Sequence, residues 1–323
     1  MPKRMSFTKP GGPEALEWTA FDAPSPMAQE VVVANSVVGL NFIDCYQRSG
    51  LYPLPLPGCP GVEGVGTVAR KGTGVSGLSE GDRVIYFSAR GGAYAEEICI
   101  PADNAIRVPD SVDDETAACL VNKGLTAWYL LRRSYRVQVG DPIVVYAAAG
   151  GVGLILTQWA RLIGATVIGI VGTPAKAELA TAAGAAETIL ADDDVPARVR
   201  ELTDGHGVPV VYDSVGRDTF FASLDCLAPH GVMVSYGNAS GPVEPFALSE
   251  LARRGSLYVT RPILFDFIRD RATYETAVDE LLGHVDAGEL KISINQRYRL
   301  TDAAEAHRDL EGRRTTGCSV LVV

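Results

Sequence analysis

The sequence predicts an α/β protein in which a doubly wound parallel sheet follows a smaller, mostly β domain. Residues 143–146 form an apolar run that enters a turn of small residues, Ala147 to Gly153, and then an amphipathic segment. From about Leu125, apolar runs alternate with helical stretches, which is typical of a parallel sheet with helical crossovers. Before about Val121, short β-like runs are instead separated by Gly and Pro, which favours a compact β domain.

The strand candidates of the first domain are residues 30–38, 64–69, 82–87 and 93–101. Four prolines between Pro53 and Pro60 alternate with apolar residues. This pattern indicates a stiff loop rather than a flexible linker.

The turn from Ala147 to Gly153 joins a strand to a helix, and it predicts a dinucleotide site at Gly150, Gly151 and Val152. A helix that begins there presents free N–H groups to a diphosphate. The alternative is a tight turn that binds no ligand. The position of the turn between strand and helix favours the cofactor.

Six strands and four helices are expected in the second domain. The strands are residues 143–147, 166–171, 187–190, 208–213, 232–236 and 257–260, and the helices are 151–162, 174–183, 195–203 and 220–227. Such a sheet has the strand order 3-2-1-4-5-6.

The C-terminal part predicts helices over 274–287 and 301–310 and a last strand over 318–323. A lone strand must pair with a sheet, and the six-stranded sheet is already complete. We therefore expect the tail to return to the first domain, so that residues 1–122 and 265–323 form one domain and residues 123–264 the other.

The residue that reads the adenosine ribose lies about 20 positions after the glycine turn, which leads to Gly172, Thr173 and Lys176. No acid stands there to bind the ribose hydroxyls of NADH. Thr173 is a plausible N-cap and Pro174 a plausible first helical residue, which puts Lys176 in the first turn. A cation there opposes the helix dipole unless an anion lies nearby. An ordinary solvated lysine is the alternative, but the pattern favours the 2′-phosphate of NADPH.

The composition argues against nucleic acid and anionic membranes as partners. The formal net charge is −10, and basic residues form no run longer than a pair, so a broad basic surface is not expected. The six cysteines are scattered, and the N-terminus lacks the apolar core of a signal peptide. We therefore expect a cytoplasmic protein.

The segment Gly61 to Val68 resembles the G-H-E-x-x-G motif of the medium-chain dehydrogenase/reductase superfamily, whose histidine binds catalytic zinc. Val62 stands in the place of that histidine, and Leu40 to Asp44 lacks the superfamily's zinc-binding cysteine. The four-cysteine structural zinc loop is missing as well. We predict no metal.

Nearly the whole chain is similar to the zinc-free NADPH:quinone oxidoreductase, or zeta-crystallin-like, family. The resemblance is carried by residues 39–44, 48–53, 123–126, 147–153, 212–216 and 255–262. It implies a GroES-like first domain, a Rossmann second domain that binds NADPH, and a homodimer paired through residues 255–260. Those residues include an apolar stretch without charge, which would need covering.

The resemblance also implies roles for particular residues. Gly151 and Val152 would contact the diphosphate, and Gly172, Thr173, Lys176 and Arg313 would hold the phosphate of the adenosine. The ribose and nicotinamide would lie near Asn41, Phe42, Ile43, Asp44, Tyr46, Thr126 and Tyr129. The residues at strand ends over the cofactor would be Gly216, Asn238, Ala239, Ser240 and Gly241. The nicotinamide would be covered by Ile263, Leu264 and Phe265. Ala191 stands where the family often has a tyrosine, so selectivity for NADPH would depend more on Lys176 and Arg313.

Hydride transfer to a quinone needs proximity and dry surroundings more than a catalytic acid. Tyr46 and Tyr52 are the best local proton donors, with Asn41 as an orienting group. Both tyrosines could instead only pack against the substrate, since water can protonate a quinol anion. Cys45 and Cys59 are expected to pack rather than act as nucleophiles.

These observations favour NADPH-dependent, zinc-independent reduction of quinones. One alternative is the reduction of 2-alkenals or enones by the same hydride. The other is a cofactor-bound structural or RNA-binding protein, which the acidic charge disfavours.

Overall fold

The computed structural model describes all 323 residues and divides into two units. The first unit contains Met1–Lys123, Ile268–Asp286 and Ile292–Val323, and the second contains Gly124–Phe267 and Ala287–Lys291. These bounds differ from the predicted ones at residues 123, 265–267 and 287–291, and two contacts explain the second and third of these differences. The ring of Phe267 stacks on Tyr129, and the backbone of Lys291 exchanges two hydrogen bonds with the side chain of Gln158.

Nine strands belong to the first unit. They are β1 (Lys3–Ser6), β2 (Glu17–Ala20), β3 (Glu30–Leu40), β4 (Glu63–Lys71), β5 (Arg83–Phe87), β6 (Glu97–Pro101), β7 (Ala105–Arg107) and, after the six strands of the second unit, β14 (Ile294–Arg299) and β15 (Cys318–Val322). Its helices are α1 (Phe42–Ser49), α2 (Asp114–Ala117), α10 (Arg271–Asp286) and α11 (Ala303–Glu311), with short 3-10 turns at Pro13–Ala15, Ala102–Asn104 and Leu300–Asp302 and a π-helical turn at Leu120–Gly124.

The strands of the second unit are β8 (Pro142–Tyr146), β9 (Thr166–Val171), β10 (Glu187–Leu190), β11 (Val208–Asp213), β12 (Leu227–Ser235) and β13 (Tyr258–Thr260). Its helices are α3 (Leu125–Tyr129), α4 (Gly151–Ile163), α5 (Pro174–Ala182), α6 (Val195–Leu202), α7 (Phe220–Asp225), α8 (Ser249–Arg253) and α9 (Leu264–Phe267), and Leu130–Ser134 forms a π-helical turn.

The second unit has the predicted parallel sheet. Its order is β10-β9-β8-β11-β12-β13, which confirms 3-2-1-4-5-6. The strands are continuous apolar runs because helices cover the sheet, and Val144, Ile170 and Val211 are almost fully buried in one core cluster. Helix α7 is shorter than predicted, since Leu227 already begins β12.

The first unit is built on a seven-stranded sheet with the order β14-β15-β3-β4-β5-β7, and β6 also pairs with β3. The C-terminal strand β15 lies antiparallel to β3, with Ser319 opposite Leu40 and Val322 opposite Val37. The C-terminal tail thus lies in the sheet of the first unit. Strand β14, which the sequence analysis did not predict, pairs with the other side of β15.

None of the helices combines the length and the apolar character needed to cross a lipid bilayer. The uncharged segment from Pro142 to Ala160 is divided between β8, the small-residue turn and α4.

Candidate active site

The glycine turn of the second unit has the geometry of an anion-binding helix start. Ala147, directly after β8, has a left-handed φ of 50°, and Gly150 is the N-cap of α4 without a side-chain cap. A Cβ on Gly153 would lie 2.2 Å from the carbonyl oxygen of Ala147, so only glycine fits this position. Gly150, Gly151 and Val152 remain partly exposed. The N–H of Gly150 already donates to the carbonyl of Ala147 at 2.8 Å, so the helical N–H groups that begin at Gly151 and Val152 are the ones that fit a diphosphate.

The end of β9 has the local structure that the sequence predicted. Thr173 is the N-cap of α5, Pro174 opens the helix, and the hydroxyl of Thr173 accepts a hydrogen bond from the backbone N–H of Lys176 at 3.3 Å. No acidic residue stands in the first turn. A Cβ on Gly172 would have no atom within 4 Å, which leaves open space beside the strand end. The first turn thus offers a hydroxyl and an ammonium, groups that suit a phosphate.

The segments that follow β11 and β12 lie together, which brings Gly216 close to residues 238–241. The N–H of Ala239 donates to the carbonyl of Ser214 at 3.2 Å, and that of Ser240 donates to the carbonyl of Val215 at 2.8 Å. Gly216 has a φ of +94°, and a Cβ there would lie 2.7 Å from the carbonyl oxygen of Gly241. These residues therefore form one tightly packed backbone surface.

Asp213 organises this surface, and sequence reasoning missed it. The carboxylate is completely buried. Its Oδ1 accepts from the N–H of Val215 at 2.7 Å and of Gly216 at 3.0 Å, while Oδ2 accepts from the hydroxyls of Thr219 and Ser223, each at 2.7 Å. Four donors satisfy a buried anion, so Asp213 fixes the Gly216 turn. The available signal was an acidic residue at the end of an apolar strand, two positions before Val215-Gly216.

Residues 263–265 differ among themselves in exposure. Ile263 is 56% exposed and Phe265 is half-buried, whereas Leu264 is only 6% exposed. The expected contact of these residues with the nicotinamide stays a prediction, and Leu264 is the least accessible of the three. Thr126 and Tyr129 on α3 are also largely buried, and the ring of Tyr129 lies 4.7 Å from that of Phe267 in a stacked pair.

In the first unit, Asn41 is the N-cap of α1, a helix that the sequence analysis did not predict. Asp44 Oδ2 accepts a hydrogen bond from the backbone N–H of Asn41 at 2.8 Å, which is one half of a capping box. The amide nitrogen of the Asn41 side chain donates to Glu63 Oε1 at 2.9 Å. The orientation of Asn41 is therefore set from both the backbone and the side chain.

Glu63 links Asn41 to a buried ion pair. Its Oε1 lies 3.0 Å from Lys123 Nζ, and its Oε2 accepts from the N–H of Asn122 at 2.6 Å. Burial alone would lower the pKa of Lys123, but the neighbouring acidic groups of Cys119 and Glu63 raise it above its ordinary value. The ammonium therefore stays protonated. Glu63 stands in the sequence motif next to Val62, and Lys123 stands in Lys123-Gly124-Leu125-Thr126, but spacing alone did not reveal that they pair.

Three aromatic rings follow one another along α1 and the loop after it. The centroid of Phe42 lies 6.1 Å from that of Tyr46, and Tyr46 lies 5.3 Å from Tyr52 in an edge-to-face arrangement. The N–H of Tyr52 donates to the carbonyl of Tyr46 at 3.0 Å, which fixes the loop on the helix. The structure thus brings the two predicted tyrosines together. Phe42, Ile43 and Tyr52 are partly exposed, whereas Tyr46 is 9% exposed.

Asp44 does not suit the direct cofactor contact expected of it. Its side chain is completely buried, and its Oδ2 is already used by Asn41 and Tyr94. Burial raises the pKa of Asp44 to about 7. The residue therefore acts inside the first unit, where it accepts the backbone N–H of the N-cap residue Asn41, rather than at a surface.

Arg313 follows α11 in a left-handed conformation with a φ of 57° and an exposed side chain. Its predicted role at the phosphate stays a prediction. Val62, at the place of the zinc-binding histidine, is completely buried, and no group of three or more His, Cys, Asp or Glu side chains is arranged to hold a metal ion.

Two family models match the chain. Residues 27–110 match the alcohol dehydrogenase GroES-like domain, and residues 151–282 match the zinc-binding dehydrogenase model. Together with the parallel sheet and its glycine turn, they define a medium-chain dehydrogenase/reductase, a class of oxidoreductases.

Three relatives refine this assignment. The quinone oxidoreductase of Pseudomonas aeruginosa is 48% identical, with all of both chains covered. The crystal structure of Escherichia coli quinone oxidoreductase complexed with NADPH has a TM-score of 0.96 and 44% identity, covering 99% of this chain and 100% of that one. The 2-haloacrylate reductase of a Burkholderia species is 42% identical over 97% of each chain. The chain belongs to the quinone oxidoreductase family of this superfamily.

Proposed function

We propose that this enzyme reduces quinones with NADPH by hydride transfer, without a metal. The observation that carries the proposal is the first turn of α5, where Thr173 and Lys176 stand at the end of β9 and no acid accompanies them. An E. coli relative was crystallised with NADPH, and the phosphate-binding chemistry of this turn agrees with that cofactor.

NADPH supplies the hydride when it is bound. The residues of the second unit would bind and orient it: the uncapped start of α4 would hold the diphosphate, and Lys176 the 2′-phosphate. The Gly216 turn, held by Asp213, would present close-packed backbone without side chains. These roles need no titrating residue, since binding and orientation supply much of the rate.

The first unit would bind the acceptor. The partly exposed rings of Phe42 and Tyr52, with Tyr46 between them, suit a planar ring such as a quinone, because aromatic faces and edges pair at these distances. The side chain of Asn41 would orient a quinone oxygen. Tyr46 or Tyr52 would donate the proton that the reduced oxygen takes up.

The experiment measures the oxidation of NADPH by its absorbance in the presence of a benzoquinone. We expect turnover with NADPH and a lower turnover when Tyr46→Phe and Tyr52→Phe are combined. Full turnover of the double variant would show that the tyrosines only pack against the substrate. NADPH binding without turnover of any acceptor would instead support a structural role.

A second candidate acceptor is an activated alkene, because one of the relatives is a 2-haloacrylate reductase. The same hydride would then be added to carbon instead of reducing a quinone. Parallel assays with a benzoquinone, a 2-alkenal and 2-chloroacrylate separate these activities. A higher kcat/KM for the alkenes would overturn the preference for quinones.

We also propose a cytoplasmic homodimer that pairs through β13. This three-residue strand lies at the edge of the six-stranded sheet, and Tyr258 on it is 61% exposed. An apolar sheet edge requires covering in a stable protein. Gel filtration at micromolar concentration tests the proposal, and a stable monomer would contradict it.

A further inference from the structure

A chain of hydrogen bonds connects helix α11, near the C-terminus, to the start of α1. Tyr94 Oη lies 2.9 Å from Asp44 Oδ2 and 3.1 Å from His307 Nε2. On the other side of the imidazole, Arg48 Nη1 lies 3.1 Å from His307 Nδ1, and Arg48 Nη2 lies 2.6 Å from Glu311 Oε1. Only Glu311 reaches the surface, with 37% of its side chain exposed.

The direction of every bond in this chain follows from the chemistry of arginine. A guanidinium only donates hydrogen bonds, so His307 Nδ1 accepts and the imidazole proton lies on Nε2. That proton points to the oxygen of Tyr94, and the hydroxyl of Tyr94 therefore donates to Asp44. Burial, and then the charge of Arg48, lower the pKa of His307 to about 3, so the ring stays neutral and keeps this tautomer.

The far end of the chain reaches a predicted catalytic residue. Asp44 Oδ2, which accepts from Tyr94, also accepts the backbone N–H of Asn41 at 2.8 Å. Asn41 is the N-cap of α1, the helix that carries Phe42 and Tyr46. The carboxylate therefore holds the first turn of this helix while the tyrosine and the histidine hold the carboxylate. All three of these side chains are completely buried.

Cys45 also approaches the imidazole, with its sulfur 3.5 Å from His307 Nδ1. Burial raises the pKa of this thiol well above its ordinary value. A protonated thiol that donates to Nδ1 supports the same tautomer. It is not an activated nucleophile, because activation requires a lowered pKa.

We propose that His307 and Tyr94 are positioning residues of the reaction, and that they act through Asp44 on the conformation of Asn41 and the first turn of α1. This proposal rests on the proposed quinone reduction. His307 lies on α11 and belongs to no motif that the sequence analysis identified. Its path to Asn41 runs through Tyr94 and Asp44, while Arg48 and Cys45 join His307 directly to later residues of α1.

The test compares Tyr94→Phe with Tyr298→Phe. The first variant removes only the hydroxyl that joins His307 to Asp44. The second removes a partly buried bond from a tyrosine to a carboxylate on α11, Tyr298 Oη to Asp309 Oδ2 at 2.8 Å, which includes none of His307, Asp44 and Asn41. Two properties are measured: steady-state quinone reduction per folded molecule, and the amide hydrogen exchange of residues 41–47.

We expect Tyr94→Phe to lower kcat for quinone by about tenfold, on the scale of a misplaced catalytic group, and to speed the exchange of the Asn41 amide by a similar factor. Tyr298→Phe should reduce the melting temperature less, because its bond is only partly buried, and should leave both readouts within about twofold of the wild type. Should Tyr94→Phe fail to fold, His307→Gln and His307→Leu provide the same comparison. The glutamine can accept from Arg48 and donate to Tyr94, so it should retain more kcat than the leucine.

Equal effects of Tyr94→Phe and Tyr298→Phe on kcat and on exchange would overturn the proposal. If the wild-type enzyme reduces no quinone, the proposed function fails, and the exchange data alone then decide whether His307 and Tyr94 hold α1.

Discussion

The ammonium of Lys123 lies 3.0 Å from a carboxylate oxygen of Glu63, and only 6% and 1% of these side chains are exposed. A buried charge that loses its partner is strongly destabilising. Removal of one member should therefore lower the free energy of unfolding by more than the intact pair contributes to it. We expect Glu63→Gln to lower the free energy of unfolding by about 3–5 kcal/mol. Chemical denaturation measures this loss.

The control for this prediction is the exposed pair of Arg198 and Glu201, whose side chains are 47% and 66% exposed. Glu201→Gln should change the stability by less than about 1 kcal/mol. Combining Glu63→Gln with Lys123→Met should recover part of the loss, since it removes both charges. A double variant no more stable than Glu63→Gln alone would contradict this account.

Gly153→Ala should abolish NADPH binding. The new Cβ would lie 2.2 Å from the carbonyl oxygen of Ala147, so the glycine turn would have to open. Fluorescence titration with NADPH measures the effect. Gly283→Ala, on an exposed face of α10 with no atom within 4 Å of its Cβ, is the matched control. It should bind NADPH normally and gain about 1 kcal/mol of stability.

Lys176→Gln should raise the KM for NADPH about tenfold, which is roughly 1.4 kcal/mol and close to the contribution of one hydrogen bond to a charged group. The KM for NADH should hardly change, because NADH lacks the 2′-phosphate. The two cofactors thus act as each other's control. An unchanged KM for NADPH would assign Lys176 to solvent, and equal increases in both KM values would assign it to a part that the two cofactors share. Arg313→Gln can be compared in the same assay.

Asp44 should make stability depend on pH in a direction unusual for a carboxyl group. Its pKa is raised from 3.8 to about 7 by burial, so the folded protein binds the proton more tightly than the unfolded chain does. This contribution is fully present below pH 3.8 and is lost as the pH rises through about 7. The neutral His307 acts in the opposite sense, since its lowered pKa removes stability as the pH falls from 6.5 to about 3.

The variant Asp44→Asn separates these two contributions, because it leaves His307 in place. The free energy of unfolding of the wild type minus that of the variant should fall steadily as the pH rises from about 4 to about 7. Denaturation at five or six pH values measures it. A difference that is constant over this range would mean that Asp44 keeps an ordinary pKa in the folded protein.

The second unit was predictable from the sequence because its order is local. Buried parallel strands such as β9 and β11 are continuous apolar runs, and helices with recognisable caps, such as Thr173-Pro174, separate them. The same locality explains why the first turn of α5 was predicted correctly.

The first unit was less predictable because its polar contacts join distant residues. Glu63 and Lys123 are 60 positions apart, and Cys45 and His307 are 262 apart, so no spacing rule connects them. Helix α1 left one local signal that was overlooked, since Asn41 and Asp44 have the spacing of a capping box. Strand β14 has no continuous apolar face, so its alternating residues did not indicate a strand.

The place of β15 within the first sheet has a consequence for synthesis on the ribosome. This strand lies between β14 and β3, and it follows all the strands of the second unit in the sequence. Residues 37–40 of β3 therefore lack one neighbouring strand until residues 319–322 have been synthesised, whereas residues 124–267 of the second unit are continuous and can fold earlier. A ribosome that stalls before Cys318 would release a chain with a folded second unit and an unpaired sheet edge that is prone to aggregate.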